Sequence, residues 1–199
     1  MDNVAQAKWD RAAATFDAAS ARSEHRWQGP KTEFFNAMEG RVLFLAAGTG
    51  LDFQFFPPGR DVLALDISEK MLEQARPRAK AYEGEIELRL ADVQNLELED
   101  DSFDQIFTSC TFCSVPDPVK GLKELRRVLK PGGELHMFEH TGSRWPPFNV
   151  MLHLMTPITS RFGPWVNRDT VGNVGAAGFL VRRVNNIYLD VVKTIHAEA

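Results

Sequence analysis

The sequence has little cysteine and little tyrosine, two of each in 199 residues, and no apolar run near the roughly 20 residues a membrane-spanning helix needs. The scarcity of cysteine excludes a disulfide-stapled scaffold. The N-terminal segment also lacks the charged-then-apolar pattern of a secretion signal. Together these absences predict a chain in a reducing cytoplasm with both thiols free. An excess of basic residues is missing as well. With 23 Lys and Arg against 27 Asp and Glu, the net charge is -4, so bulk electrostatics draws the chain to neither nucleic acid nor an anionic bilayer. Local basic patches remain open. There is no internal repeat and no low-complexity segment. What is present, 44% hydrophobic and 25% charged residues, suits one soluble globular domain.

Periodicity gives the order of elements. Residues Val4 to Ala21 read as a helix with Trp9, Ala12, Ala13 and Phe16 on one stripe, and a second helix is expected around Lys31 to Met38, opened by Pro30. The period then changes. Arg41 to Ala46 is a short continuous apolar run ended by Gly48-Thr49-Gly50, as in a strand buried on both faces. Further strands are expected at Asp61–Leu65, Glu85–Leu90, Phe103–Ser109 and Glu134–Glu139. Helices lie between them at Glu69–Ala81, capped by Ser68 and ended or bent by Pro77, and at Pro118–Leu129, stopped by Lys130-Pro-Gly-Gly133. Alternation of this kind predicts a parallel α/β sheet with right-handed crossovers. Phe179–Val184 and Asn186–Ile195 are joined too tightly for a crossover, so they should form a hairpin with one edge strand antiparallel.

Three successive strand ends carry the chemistry. Glycines after the first strand let backbone N–H groups approach a ligand closely. A dinucleotide fingerprint would want a third small residue where Phe53 stands, which makes a pyrophosphate site, and a nicotinamide dehydrogenase, a poor fit. Asp66 ends the second strand, where a carboxylate can accept hydrogen bonds from both ribose hydroxyls of an adenosine. Asp92, just past the third strand, is placed to meet the adenine amino group. Either acid alone suits a capping or loop role. Gly-x-Gly, Asp and Asp at three consecutive strand ends are harder to assign to chance.

Val42-Leu-Phe-Leu-Ala-Ala-Gly-Thr-Gly50, Leu65-Asp-Ile-Ser68, Ala91-Asp92, Phe103-Asp-Gln-Ile106 and Arg127-Val-Leu-Lys-Pro-Gly-Gly133 resemble, in order and spacing, the successive motifs of class I methyltransferases over roughly residues 40 to 140. The resemblance implies a Rossmann-like seven-stranded sheet of order 3-2-1-4-5-7-6, with strand 7 antiparallel and helices on both faces. It implies S-adenosylmethionine as cofactor and S-adenosylhomocysteine as product. It assigns cofactor contacts to Phe16, Ala46, Gly48, Gly50, Asp66, Ile67, Asp92, Val93 and Ser109. Two positions depart from the family pattern. Phe44 replaces a usual acidic residue, which removes a carboxylate from the amino-acid end of the cofactor, and Ala46 replaces a usual glycine. The methionine ammonium is then expected to rest on backbone carbonyls near Ala46 and Ser109. One methyltransferase domain is expected, with residues 1–39 a helical cover, 40–140 the cofactor-binding core, 141–168 a hydrophobic lid and 169–199 a C-terminal helix and hairpin.

The acceptor side is less determinate. Cys110-Thr-Phe-Cys113 is a single C-x-x-C, and a structural zinc commonly takes a second pair, so structural or pocket-lining thiols and no metal are expected. Glu139 and His140 end the fifth strand at the ligand edge. His140 is the candidate general base, and a hydrogen-bonded wall residue is the competing role. A sulfonium methyl is already a good electrophile, so alignment does much of the work. In the lid, Phe148, Met151, Leu152, Met155 and Ile158 form a helical stripe while Val150 and Leu154 make the other side apolar too. Trp145, Pro146, Pro147, Pro157, Phe162, Pro164 and Trp165 surround it. Such a helix is either buried or touches something apolar, an acceptor or a membrane surface. Arg144, Arg161 and Arg168 flank it, and Arg22, His25 and Arg26 follow the first helix. Bidentate hydrogen bonds to a phosphate are one role for these groups, and solvated surface is the other.

Phe53-Gln-Phe-Phe-Pro-Pro-Gly59, Cys110-Thr-Phe-Cys-Ser-Val-Pro-Asp-Pro118 and Phe138-Glu-His140 resemble membrane-associated thiol methyltransferases. The size, short N-terminal helix and lid are similar to small bacterial phospholipid N-methyltransferases and quinone-biosynthesis C-methyltransferases. Thr15-Phe16-Asp17 is similar to the Tyr-Asp that covers the cofactor in these groups, without the hydroxyl. All favour an apolar or amphiphilic small-molecule acceptor, with Cys113, Glu139, Arg144, Arg161 and Arg168 as substrate-side candidates. The lid and arginines put the head group of phosphatidylethanolamine first and a small thiol or quinone precursor next. Transient contact with the inner membrane face is expected, and no nucleic acid or protein partner. A module that binds the cofactor without catalysis is the alternative of another class.

Overall fold

In the computed structural model the backbone of residues 1–199 is described throughout, and every side chain except those of Arg22, Ser23, Glu24 and Phe162. Arg22 and Phe162, named above, therefore lie outside the described side chains.

Seven strands form one sheet of order β3-β2-β1-β4-β5-β7-β6. The parallel part is β1 (Arg41–Leu45), β2 (Asp61–Asp66), β3 (Glu85–Leu90), β4 (Phe103–Ser109) and β5 (Leu129–His140). β7 (Val192–Glu198) runs antiparallel to both β5 and β6 (Leu180–Tyr188), so the antiparallel strand of the hairpin is inserted between them rather than lying at the sheet edge as the tight connection alone suggested. The apolar runs of β1 and β2 are buried because both faces of the sheet are covered. One face packs Phe44, Phe53, Phe56 and Phe107 with Phe35 and Met38; the other packs Leu43, Leu65, Ile106 and Leu122. The helices are α1 (Asn3–Phe35), α2 (Glu69–Ala81), α3 (Pro118–Val128), α4 (Pro146–Phe162) and α5 (Thr170–Ala176).

Four local expectations need correction. The two expected N-terminal helices are one 33-residue helix with Pro30 inside it. Pro77 likewise neither ends nor divides α2, which runs from its Ser68 cap to Ala81. A proline removes one i to i-4 bond, and where the ring faces solvent, as Pro77 does, water can satisfy the freed carbonyl. Lys130-Pro-Gly-Gly133 lies within β5 as an irregularity, with Gly132 at φ 76°, because Leu129 already pairs with Phe103 before the regular ladder begins at Glu134. The final turn falls at 189–191 rather than at Asn185, with Leu189 at φ 48°. The last residues continue the ladder to a Leu180–Glu198 pair, and that register fixes the turn.

Candidate active site

The C-terminal ends of β1, β2, β3, β4 and β5 open into one cavity of about 410 Å³, walled by Ala46, Gly48, Asp66, Asp92, Ser109, Cys110 and His140, among others. Two wall positions have left-handed backbone without being glycine: Ala46 at φ 58° and Cys110 at φ 51°. Each sits where a strand turns away from the sheet. Gly48 is also left-handed, and Phe16 of α1 stands against it, with a ring atom 3.7 Å from where a Cβ would be.

Asp66 is buried at the end of β2. Its carboxylate accepts hydrogen bonds from the Gly48 N–H and the Ser68 N–H, both at 2.8 Å, so it ties the glycine turn to the start of α2. Burial still dominates and pushes the carboxyl up to about 6. Burial acts on Asp92 in the same sense. There, hydrogen bonds from Gln94 and from the Asp2 N–H at 2.8 Å outweigh it and hold the acid below its usual range. The first residues of α1 thus reach the third strand end directly.

α1 lies across the cavity. Trp9 and Phe16, two members of the stripe read from the sequence, face into it, together with Ala5 and Ser20. Polar clips hold the helix down. Asp10 accepts from the Ser68 hydroxyl and Asp17 from the Thr49 hydroxyl, each at 2.5 Å; Asp17 also pairs with Arg78 at 2.7 Å, and Lys8 donates to the Ser160 and Gly163 carbonyls. Sequence reasoning missed Asp10 and Asp17 as anchors. Their spacing of seven, two helical turns, was the available signal.

The loop after β4 makes the opposite wall and is built around Glu139. That carboxylate is fully buried and accepts from the Thr108 hydroxyl at 2.8 Å, the Thr111 N–H at 3.0 Å and the Phe112 N–H at 3.1 Å. Burial raises it to about 7 against these bonds. The Thr111 hydroxyl lies between the Leu45 and Ser109 carbonyls, at 3.4 and 3.3 Å. Cys113 faces the cavity, with its thiol raised well above the usual range by burial, and its Sγ lies 3.4 Å from the Cys110 carbonyl. Neither cysteine is in a disulfide. The chain leaving α4 is tied to this loop by the Trp165 N–H to the Cys113 carbonyl at 2.7 Å and by Arg168 Nη2 to the Val115 carbonyl at 3.0 Å. Pro164 and Val166 consequently join the wall.

Of the residues singled out from sequence, Phe16, Ala46, Gly48, Asp66, Ile67, Asp92, Val93, Ser109, Cys113 and His140 line one cavity. The others stand elsewhere. Gly50 is a packing glycine, at φ 81° with a Cβ position 2.7 Å from the Phe53 ring. Glu139 lies behind the wall. Arg144 and Arg161 are exposed and off the cavity lining, and Arg168 is spent on Val115 and stacked on Trp165 at 4.8 Å. Phe44 points away from the cavity into the aromatic cluster with Phe35, Phe53 and Phe56. A carboxylate at the Phe44 position would therefore not face the cavity. His140 lines the cavity; its Nδ1 is buried and without a hydrogen-bond partner among the described residues, and burial lowers its pKa, which favours the neutral imidazole.

Residues 43–137, which supply most of the first five strands and the ligand-facing ends of β1 to β4, match the family model described as Methyltransferase domain. Through this segment the chain belongs to the class I S-adenosylmethionine-dependent methyltransferases. The thiol S-methyltransferase TMT1B of Homo sapiens is 36% identical over 143 residues, 65% of this chain and 58% of that protein. A demethylmenaquinone methyltransferase of Clavibacter sepedonicus is 37% identical over 139 residues, covering 67% and 56%. A phosphatidylethanolamine N-methyltransferase of Cereibacter sphaeroides is 34% identical over 107 residues, covering 53% of each chain. The methyltransferase chain thus spans little more than half the length of these relatives. The crystal structure of a SAM dependent methyltransferase from Aquifex aeolicus shares its fold, with a TM-score of 0.64 at 22% identity over 86% of this chain and 88% of that one.

Proposed function

We propose that this methyltransferase holds S-adenosylmethionine across the ends of β1 to β4 and transfers its methyl group to a neutral, apolar acceptor, a thiol in the first instance. The residues fit that cofactor. Asp66 keeps lone pairs for ribose hydroxyls after serving Gly48 and Ser68, Asp92 faces the adenine end, and the carbonyls near Ala46 and Ser109 suit an ammonium. When bound, the cofactor supplies a sulfonium methyl, an electrophile that needs alignment more than activation. The acceptor's S–H proton passes to a base as the sulfur attacks the methyl carbon, with His140 the imidazole in the lining that could take it, and S-adenosylhomocysteine leaves as a neutral thioether.

One observation carries the choice of a neutral acceptor. Among the described lining residues the carboxylates are those of Asp66 and Asp92, both at the cofactor end, while Trp9, Cys113, Val115, Pro164 and Val166 make much of the remaining wall apolar and its polar members, Ser20, Thr111, Ser114 and His140, include no carboxylate. With Glu139 turned away, an aminium has no counter-charge there, and the arginines expected to grip a phosphate stand outside. That reverses the order of acceptors taken from sequence.

The phosphatidylethanolamine reading is kept by a separate observation. α4 exposes Val150, Met151, Leu154, Met155 and Ile158, with Leu154 at 74%, between exposed Arg144 and Arg161. A lipid surface would cover that face. Labelled cofactor is to be incubated with an apolar alkyl thiol in lipid-free solution and, separately, with phosphatidylethanolamine vesicles. A methyl thioether from the first supports the proposal. Methylated lipid with no thioether would overturn it in favour of the lipid reading. Tight cofactor binding with no product from either, or from a lipid extract, would leave a non-catalytic module.

A further inference from the structure

At the far end of β5 from the cavity, three metal-ligating side chains converge. Glu134 and His136 are two apart on β5 and therefore share a face of the sheet, and His196 of β7 is the direct antiparallel partner of His136. Glu134 Oε2 lies 3.1 Å from His136 Nε2 and Glu134 Oε1 lies 3.2 Å from His196 Nε2. All three ligand atoms fall within 4.8 Å of one another. Tetrahedral zinc with ligand distances of about 2.0–2.1 Å separates its ligands by about 3.3 Å, close to both contacts.

The surroundings hold these groups in place. The Gln105 side-chain amide donates to Glu134 Oε2 at 2.9 Å, orienting the carboxylate. The His136 ring stacks on Phe107, 4.5 Å between centroids and 4° between planes, and on His196 at 4.7 Å. The His196 Nε2 contact with Glu134 lacks hydrogen-bond geometry, so this buried nitrogen has no hydrogen-bond partner among the described residues. An unpaired buried imidazole nitrogen costs free energy unless something accepts its lone pair or its proton.

We propose that Glu134, His136 and His196 form a binding site for one zinc-class divalent ion that cross-links β5 to the antiparallel β7. Two imidazoles and one carboxylate select zinc, nickel, cobalt or copper over magnesium and calcium, which take oxygen ligands. Glu134 and His196 are each about one-third exposed, at 38% and 33%, which leaves a path for the ion and a position for water. Glu134 and His140 are six residues apart on one strand, about 20 Å at ~3.3 Å per residue, so the site is separate from methyl transfer.

The test uses untagged, chelator-treated protein titrated with zinc chloride, with thermal melts in parallel. The expected result is uptake of one equivalent, a raised Tm in the presence of zinc, and affinity lowered at least about tenfold in both His196→Ala and Glu134→Gln. S-adenosylmethionine affinity should be unchanged in both variants. Cobalt(II) uptake should give spectra without thiolate charge transfer, which separates this site from Cys110 and Cys113. Absence of uptake would overturn the proposal, as would uptake that both variants retain or uptake that carries a thiolate signature.

Discussion

The two halves of the cavity are built in opposite ways. On the cofactor side, polar groups at the strand ends are bonded into the fold itself: Asp66 binds Gly48 and Ser68, and Asp92 binds Gln94 and Asp2. On the acceptor side the wall is mostly apolar, and the buried carboxyl behind it, Glu139, is engaged in holding its own loop. A ligand with fixed polar atoms can be met by a prebuilt hydrogen-bonding frame. A variable apolar acceptor needs only shape and exclusion of water. The cofactor half should therefore fail by losing affinity and the apolar acceptor wall by losing rate or selectivity, whereas the buried Glu139 behind that wall belongs to the fold and should fail by losing stability.

The largest expected effect is at Glu139. Replacement by Ala leaves two buried N–H groups and a hydroxyl without their acceptor, which should cost about 3 kcal/mol in denaturant melts and disorder the wall at 109–113. Glu139 also makes stability depend on pH. Its folded pKa of about 7 lies above its ordinary value of 4.5, so the native state binds more protons than the unfolded chain between those values. The stabilisation is fully present below pH 4.5 and is lost as pH rises through 7, and Asp66, at about 6 in the folded state, acts in the same direction from 3.8. Glu139→Gln should flatten the Glu139 share of that slope, on the order of 3 kcal/mol. Melts from pH 4.5 to 8 would measure it.

A smaller effect is expected on α4. Leu154→Glu and Ile158→Glu, at positions 74% and 64% exposed, should change stability by no more than about 0.5 kcal/mol while weakening binding to vesicles. Melting of either variant by several kcal/mol would mean that the face is packed. An effect of opposite sign is expected at Ala46. Its φ of 58° is disfavoured for any residue with a Cβ, so Ala46→Gly should stabilise the fold by about 1 kcal/mol with cofactor affinity unchanged. Chemical melts with a parallel titration would check both statements.

The same division decided what could be read from sequence. Strand ends announce themselves, because a buried apolar run must stop at a glycine or an acid, and Gly48, Asp66 and Asp92 were visible for that reason. The alternation of strands and helices gave the parallel sheet, the tight terminal hairpin gave an antiparallel strand, and the resemblance to class I methyltransferases implied the strand order. What stayed hidden depends on side-chain direction or on register. Phe44 was read as a loss at the cofactor, yet it faces the aromatic core. Glu139 and Arg168 were expected at the substrate and instead organise backbone. Phe16 was assigned to the cofactor by the resemblance and lines the cavity, while Trp9, read only as a member of the same helical stripe, lines it too. The meeting of Glu134 and His136 with His196 needs the β5–β7 register, and no spacing along the chain reports it.

The central claim, that the strand-end acids hold S-adenosylmethionine, is tested most directly by calorimetric titration of the cofactor into wild type and Asp66→Ala, with melts confirming that the variant remains folded. The account predicts one site in the wild type and a loss of about 1–3 kcal/mol in the variant. Undiminished affinity in folded Asp66→Ala, or no binding by the wild type, would contradict it.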